Sequence, residues 1–447
     1  MSGLNKRLAA ALKAAFSGAL LYAGGASAMT LQQAYEAAIV NDPTYQQAVQ
    51  EAEAGKEYRI LGRSNLLPSV QANYSASKVN ADLVTRGLLG ETPSSPQYIS
   101  RSSSVSFRQT LFNLDALARY KQGNAQAEYA KENFVGRTQE MAVRVIGAYL
   151  DALFAREQVR ISKAQRDMYT EQKAVNDLLF KKGEGTRTDM LETQARLELA
   201  QAQLLEATDN EQVQLSTLAG IVGQEVTSLE ELRPDFRAQT ALEGDFEAWR
   251  KKALAQNPDL LAQVYAIEAA RQEVNKNKAG HAPRLDFIAS YSKADSETLN
   301  TYNQDSTNRS VGIQLTVPLY SGGAVSASTR QASANLARAK AELQLRIDKV
   351  MVDLRKQYAA VLSSVARIQA LDKAVSSGEL LVTATEQSIK GGVRINLDLL
   401  NARQQLYTSQ RDLAQARYGY LLGLMRMKAA SGTLTAADIY DLSRYFQ

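Results

Sequence analysis

The sequence predicts a mainly α-helical chain with membrane β-strands. The protomer is duplicated, and copies of it would form a trimeric 12-stranded β-barrel continuous with a long α-helical barrel. Three observations carry this expectation. The first is internal repetition. Asn257-Pro258 repeats Asp42-Pro43 and Ala282-Pro283 repeats Leu67-Pro68, both at an offset of 215 residues. Leu319-Tyr320 then repeats Leu111-Phe112 at an offset of 208, and Gly392, Asp398 and Leu400 repeat Gly183, Asp189 and Leu191 at an offset of 209. The slip from 215 to 208 makes a loop before Leu111 seven residues longer in the first copy. Such a period exceeds any solenoid repeat and implies two similar halves.

The second observation is four segments of period two. Val70, Ala72 and Tyr74 alternate with polar residues in 69–77, as do Val105, Phe107 and Leu111 in 104–111. Leu285, Phe287, Ala289 and Tyr291 share one face of 284–292, and Ile313, Leu315, Val317 and Leu319 share one face of 311–320. Period two means strands with one apolar and one polar face. The Ser/Thr/Asn/Gly-rich stretches inside each pair are expected to be surface loops. The third observation is period 3.6 over great length. Leu336, Ala339, Leu343, Ile347, Val350, Leu354 and Tyr358 begin one apolar stripe on a helix expected from Ser321 to Lys390, and its partner runs from Leu114 to Lys182. At ~1.5 Å per residue each spans on the order of 100 Å.

The remaining elements follow in order. Lys6 and Arg7, an apolar stretch over 14–23 and Ala26-Ser27-Ala28 read as a secretory signal over residues 1–28. Helices are expected at 31–40 and 44–66, separated by Asp42-Pro43, and again at 246–256 and 259–279, separated by Asn257-Pro258; each Pro pre-sets a first turn. Gly183 and Gly185, then Gly391 and Gly392, mark hairpin tips, and return helices are expected at 189–219 and 397–429. The organisation is therefore a first structural repeat over 29–226, a linker over 227–245, a second repeat over 246–430 and a C-terminal segment over 431–447.

Composition excludes much chemistry. There is no cysteine, so disulfides and thiolate metal sites are absent, as is a lipid-anchored N-terminal Cys. His281 is the only histidine, which leaves no metal cluster or nucleophile dyad. Gly322-Gly323 is not followed by Lys-Ser or Lys-Thr and so is no phosphate loop. Glu230-Glu231 reads as a solvated pair. No catalysis and no cofactor are expected. The net charge of +5 includes three positives of the signal, too weak a balance to argue for nucleic acid.

Apolar-out, polar-in alternation suits an outer-membrane barrel, and lipid allows no open sheet edge. Four strands cannot close, since about eight are needed even for a packed interior. A homotrimer supplies twelve, with Val105, Phe107, Ile313 and Leu315 facing outer-membrane lipid. A soluble two-layer sheet packed on helices gives the same alternation. A periplasmic adaptor or a structural coiled coil would share the long helices but should lack two strand pairs between helices.

The chain resembles the TolC family of outer-membrane channel-tunnels over essentially all of its mature length. The resemblance rests on the strand-to-helix stretch Val317-Pro318-Leu319-Tyr320-Ser321-Gly322-Gly323 and on Gly392-Val393-Arg394-Ile395-Asn396-Leu397-Asp398-Leu399-Leu400-Asn401 at the second hairpin tip. It rests also on Leu406-Tyr407 and Ala416-Arg417-Tyr418-Gly419-Tyr420-Leu421 on the return helix. The resemblance implies a trimer whose barrel sits in the outer membrane and whose tunnel crosses the periplasm. It implies a periplasmic adaptor and an inner-membrane pump, of the ABC or RND type, as partners. The implied activity is passive export. Lack of a lipidation Cys favours a secreted protein as cargo; the alternative is multidrug or small-molecule efflux. By position, Asp398 corresponds to one acidic ring of the family's periplasmic gate. Asn401 stands where a second ring lies, a departure that removes its charge. Arg394 matches a latch residue, with Thr188 and Asp189 at its partners' places; Ile389 replaces a latch tyrosine. A carboxylate in a first helical turn also simply favours the helix dipole, the reading kept for Asp189.

Overall fold

The computed structural model describes residues 28–87, 90–95, 97–238, 244–296 and 304–447; apart from Ala28, the expected signal segment lies outside them. The chain divides into two compact units. One comprises residues 1–46, 138–250 and 353–447, the other residues 47–137 and 251–352, so each draws on both sequence halves. The described helices are α1 (Leu31–Asn41), α2 (Pro43–Ser64), α3 (Leu114–Lys182), α4 (Arg187–Val222), α5 (Phe246–Gln256), α6 (Pro258–Lys278), α7 (Ala324–Lys390), α8 (Asn396–Ala430) and α9 (Ala436–Ser443). The two long helices, α3 and α7, hold 69 and 67 residues. Among the described residues no helix is long and apolar enough to cross a membrane.

The second unit holds a four-stranded antiparallel sheet. Its strands are β1 (Ser69–Asn80), β4 (Gln97–Phe112), β5 (Arg284–Ser296) and β6 (Gln304–Thr316), in the order β1-β4-β5-β6. All four expected strands are present with longer loop-side ends. β6 stops at Thr316 rather than Tyr320, because Pro318 has no N–H to extend the ladder beyond the Arg284–Thr316 pair. The loop expected between the first two strands is corrected by a short hairpin. Here β2 (Leu83–Gly87) pairs with β3 (Gly90–Ser94), and Arg86 faces Glu91 at 2.6 Å. Similarly, α7 begins at Ala324 rather than Ser321. Gly322 and Gly323 hold φ of 60° and 82°, which a right-handed helix cannot contain.

The repeated X-Pro steps act as expected. The Asn257 carboxamide oxygen accepts from the N–H groups of Asp259 (3.0 Å) and Leu260 (3.2 Å), capping α6 with Pro258 in its first turn. Asp42 does the same for Thr44 at 3.0 Å. As a buried carboxylate it also needs a countercharge, supplied by Arg144.

The core of the first unit joins α1, the 138–182 portion of α3, α4, the 353–390 portion of α7 and α8, with Tyr149, Leu218, Leu421 and Met425 fully buried. The linker expected over 227–245 is packed against it over its described residues. Met29 bridges Leu229, Leu232 bridges Phe446, and Phe236 is buried. The Tyr149 hydroxyl lies 2.9 Å from the Met29 carbonyl and 3.3 Å from that of Glu230. Burial pushes this phenol well above its usual range, so it stays a neutral donor. Glu231 is exposed as expected, whereas Glu230 is half-buried. The C-terminal helix α9 was not anticipated; Thr435 and Asp438 cap it reciprocally, and Lys428 pairs with Asp438.

Candidate functional site

Two regions carry the expected functional residues: the sheet in the second unit and the hairpin tips in the first. In the sheet, residues directly opposite one another share a face. Val105 pairs with Ala72 and Tyr291, Phe107 with Val70 and Ala289, Ile313 with Phe287 and Leu315 with Leu285. The four residues expected to meet lipid therefore lie on one apolar face. Ile313 and Leu315 are 67% and 64% exposed, far more than a buried two-layer sheet would allow. Phe107 and Phe287 add an edge-on ring contact with centroids 6.0 Å apart. The opposite face is built of hydroxyls. Ser75 opposes Ser102, Ser77 opposes Ser100, Ser104 opposes Ser292, and Ser106 opposes Ser290, whose hydroxyl meets that of Ser310 at 2.7 Å.

At the tips, α3 and α7 end in the same motif. Gly183 and Gly392 have φ of 77° and 71°. The Gly183 N–H donates to Phe180 and that of Glu184 to Leu179; the Gly392 N–H donates to Ile389 and that of Val393 to Ser388. Paired bonds of this pattern satisfy the last helical carbonyls and require the left-handed glycine. Gly185 lies where a Cβ would approach Phe180 N to 3.0 Å, while Gly391 would meet only ordinary contacts.

Asp398 sits half-buried in the first turn of α8, and its carboxylate has no hydrogen bond or ion pair among the described residues. Asn401, one turn further, accepts from Arg196 at 3.4 Å. Arg394 is exposed and likewise without a partner among the described residues. Within the chain the structure does not bring it to Thr188 or Asp189. Thr188 is exposed, and Asp189 completes the start of α4: its carboxylate accepts from the Thr186 hydroxyl at 2.7 Å, and its N–H donates to that oxygen at 3.1 Å.

Sequence reasoning missed the seam that joins the two hairpins. Asn176 on α3 and Thr193 on α4 are 5% and 1% exposed. The Asn176 carboxamide donates to Thr193 Oγ1 at 2.7 Å and accepts from Asn396 at 3.0 Å and Gln172 at 3.2 Å. The Thr193 hydroxyl in turn donates to the Asp189 carbonyl at 2.8 Å. Beside this network Met168, Tyr169, Leu197, Ala200 and Leu400 form a small apolar cluster. The repeat offset of 209 would have paired Asn176 with Thr385. Thr385 is 1% exposed, yet its hydroxyl has no partner among the described residues. A groove of about 410 Å³, lined by Gln165, Gln203, Glu206, Gln404, Tyr407 and Arg411, follows the same seam.

Comparison with known proteins agrees with this architecture. A profile of the outer membrane efflux protein family matches residues 34–224 and 249–433, one stretch in each half of the duplication. The chain is 42% identical over 422 residues to the alkaline protease secretion protein AprF of Pseudomonas aeruginosa, covering 94% of this chain and 88% of that one. It is 36% identical over 430 residues to the proteases secretion protein PrtF of Dickeya chrysanthemi, covering 96% and 93%. Its fold matches that of the Campylobacter jejuni CmeC outer membrane channel with a TM-score of 0.77 at 16% identity, over 96% of this chain and 95% of that one. The chain belongs to the outer membrane efflux protein family, the family of TolC. It is an outer-membrane protein with the channel-tunnel fold, and the relatives are named for secretion and efflux rather than for catalysis.

The seam makes a testable contrast between the two copies. Thr193→Val strands a buried amide donor and should lower stability by ~1–3 kcal/mol. Thr385→Val removes a hydroxyl that already lacks a partner and should be neutral or stabilising. Thermal unfolding of the purified protein, read by circular dichroism, distinguishes the two. Equal losses would mean the Asn176–Thr193 network contributes nothing particular.

Proposed function

We propose that the chain is the outer-membrane exit duct of a tripartite protein-secretion system. It would conduct cargo passively from an inner-membrane transporter, through a periplasmic adaptor, to the outside. The observation that carries this reading is full-length similarity to two proteins named for protease secretion. Small-molecule efflux is the second reading, favoured by the family profile's own description. Comparing a deletion strain with its parent separates them. The secretion reading expects an extracellular protease to disappear from the medium while drug sensitivity changes little. Unchanged secretion with raised drug sensitivity would reverse the assignment.

The working form is a homotrimer. Among the described residues the sheet has four strands, and β1 and β6 each leave one edge unpaired. Its apolar face, with Val105, Phe107, Ile313 and Leu315, would meet lipid, and its hydroxyl face would line the lumen. A charge at mid-membrane costs ~2–4 kcal/mol in such barrels. Ile313→Arg or Leu315→Arg should therefore lower the yield of a crosslinkable three-copy species in outer-membrane extracts. Parental assembly of both variants would reject this orientation.

Asp398 is proposed as a lumen-facing acidic ring at the narrow end, with Asn401 beside it adding polarity without charge. Three carboxylates around one axis make a strong local negative potential. Arg394 would hold the closed end by reaching hydroxyl or carboxylate groups on a neighbouring copy, Thr188 and Asp189 being the candidates. In single-channel recordings Asp398→Ala should reduce cation selectivity and Arg394→Ser should raise resting conductance. Parental selectivity in Asp398→Ala would leave that carboxylate only its helix-dipole role.

A further inference from the structure

The apolar face of the sheet does not stay apolar along its length. At the end joined to the helices it begins with Leu285 opposite Leu315, the latter 64% exposed. Towards the far end the same face turns basic. Arg309 stands opposite Tyr291, and its guanidinium lies 5.8 Å from the centre of that ring. One row further Lys293 stands opposite Ser103, and one row beyond that Arg101 opposes Asp295 at 3.9 Å. Lys78 closes the series on β1. All four basic residues are exposed.

Within the strands the apolar rows run from Leu285–Leu315 through Phe287–Ile313 to Ala289–Val311, and Arg309 and then Lys293 follow in the next two rows, at the end of the apolar stretch remote from the helices. The charge is also one-sided. In the same rows the opposite face carries Ser102, Ser104, Ser292 and Asn308, and no ionisable group. Charges that merely kept loop ends soluble would not be confined to one face. Asp295 and Asp305 oppose each other there, but four basic groups outnumber them, and the Arg101–Asp295 pair is exposed and weak.

We infer that this basic row is a binding site for the phosphate-bearing headgroup of a lipid in the leaflet remote from the helices. The guanidinium groups of Arg101 and Arg309 can take two phosphate oxygens at once, and the Lys293 ammonium adds a compact charge. Tyr291 and the exposed Tyr74 supply rings suited to the boundary between chains and headgroups. The inference rests on the reading that the apolar face meets lipid.

The test uses the full assembled protein in nanodiscs of phosphatidylcholine, with and without phosphatidic acid, and native mass spectrometry of the lipids that remain bound. The parent should retain phosphatidic acid preferentially. R101Q/K293Q/R309Q should lose that preference by on the order of 100-fold, at roughly one surface-charge contribution per residue removed. R108Q, on the hydroxyl face, should behave as the parent, and inorganic phosphate should not displace the lipid. Parental retention by the triple variant, an equal loss in R108Q, or displacement by inorganic phosphate would each overturn the inference. A tryptophan at Val311 separates it from the reading beneath it. Quenching of V311W by brominated acyl chains, above that of the parent, supports the lipid-facing orientation. Quenching without headgroup preference overturns only the headgroup site; absence of quenching overturns the orientation as well.

Discussion

The constraint on which the rest depends is the unpaired strand edge. β1 and β6 each present a row of backbone N–H and C=O groups with no strand partner among the described residues. In water such an edge is tolerable, but in hydrocarbon every unpaired group costs several kcal/mol. The duplication contains its own answer. The central pair of the sheet, β4 against β5, joins the last strand of the first copy to the first strand of the second. Pairing β6 with the β1 of another copy would repeat that relation between chains. One strand interface, used once within the chain and once between chains, suffices to close the barrel proposed above.

The sequence made some of this legible because certain residues have few ways to behave. Pro43 and Pro258 open helices because their rings fix φ and lack an N–H, and Asp42 and Asn257 cap them. Gly183 and Gly392 end helices through a backbone angle that other residues avoid. Alternation placed Val105, Phe107, Ile313 and Leu315 on one face, and the register agrees. What stayed hidden had ambiguous local chemistry. The β2–β3 hairpin is written in Gly, Thr, Pro and Ser, a composition that reads as loop until Arg86 is seen against Glu91. The seam was hidden for a different reason. On a long helix an amide such as Asn176 looks solvated, and only packing shows that it is buried and bonded to Thr193 and Asn396.

The hydroxyl face has a consequence for selectivity. Its ionisable groups are Arg108, Arg284 and Asp286, all near the end that joins the helices. Asp286 is buried, accepts from Thr110 at 3.2 Å and lies 3.7 Å from Arg284, so much of its field is already answered. Hydroxyls offer hydrogen bonds of either sense without fixed charge. If this face lines the lumen as proposed, it would have little basis for sorting a polypeptide by the sign of its residues. On the reading proposed above, sorting by charge would fall to the tips, where Asp398 has none of the partners that Asp286 has.

The two hairpins also differ in how firmly they are held. The first ties α3 to α4 through Asn176, Thr193 and the Asp189 carbonyl, bonds that lie inside it. The second has an unpartnered Thr385 hydroxyl at the matching place and exposes Val393 and Ile395 at its turn. It is joined to the first by Asn396 on Asn176, by Leu400 in the small apolar cluster, by Arg196 on Asn401, by Gln165 and Tyr169 on Gln404 and by Tyr407 on the Ala164 carbonyl. Displacing the second hairpin breaks the contacts across the seam, whereas opening the first would also strand a buried amide and a buried hydroxyl. Asp398 and Arg394 lie on the hairpin that is cheaper to move. If the duct rests closed as proposed, the seam would share the resistance to opening with the contacts proposed for Arg394.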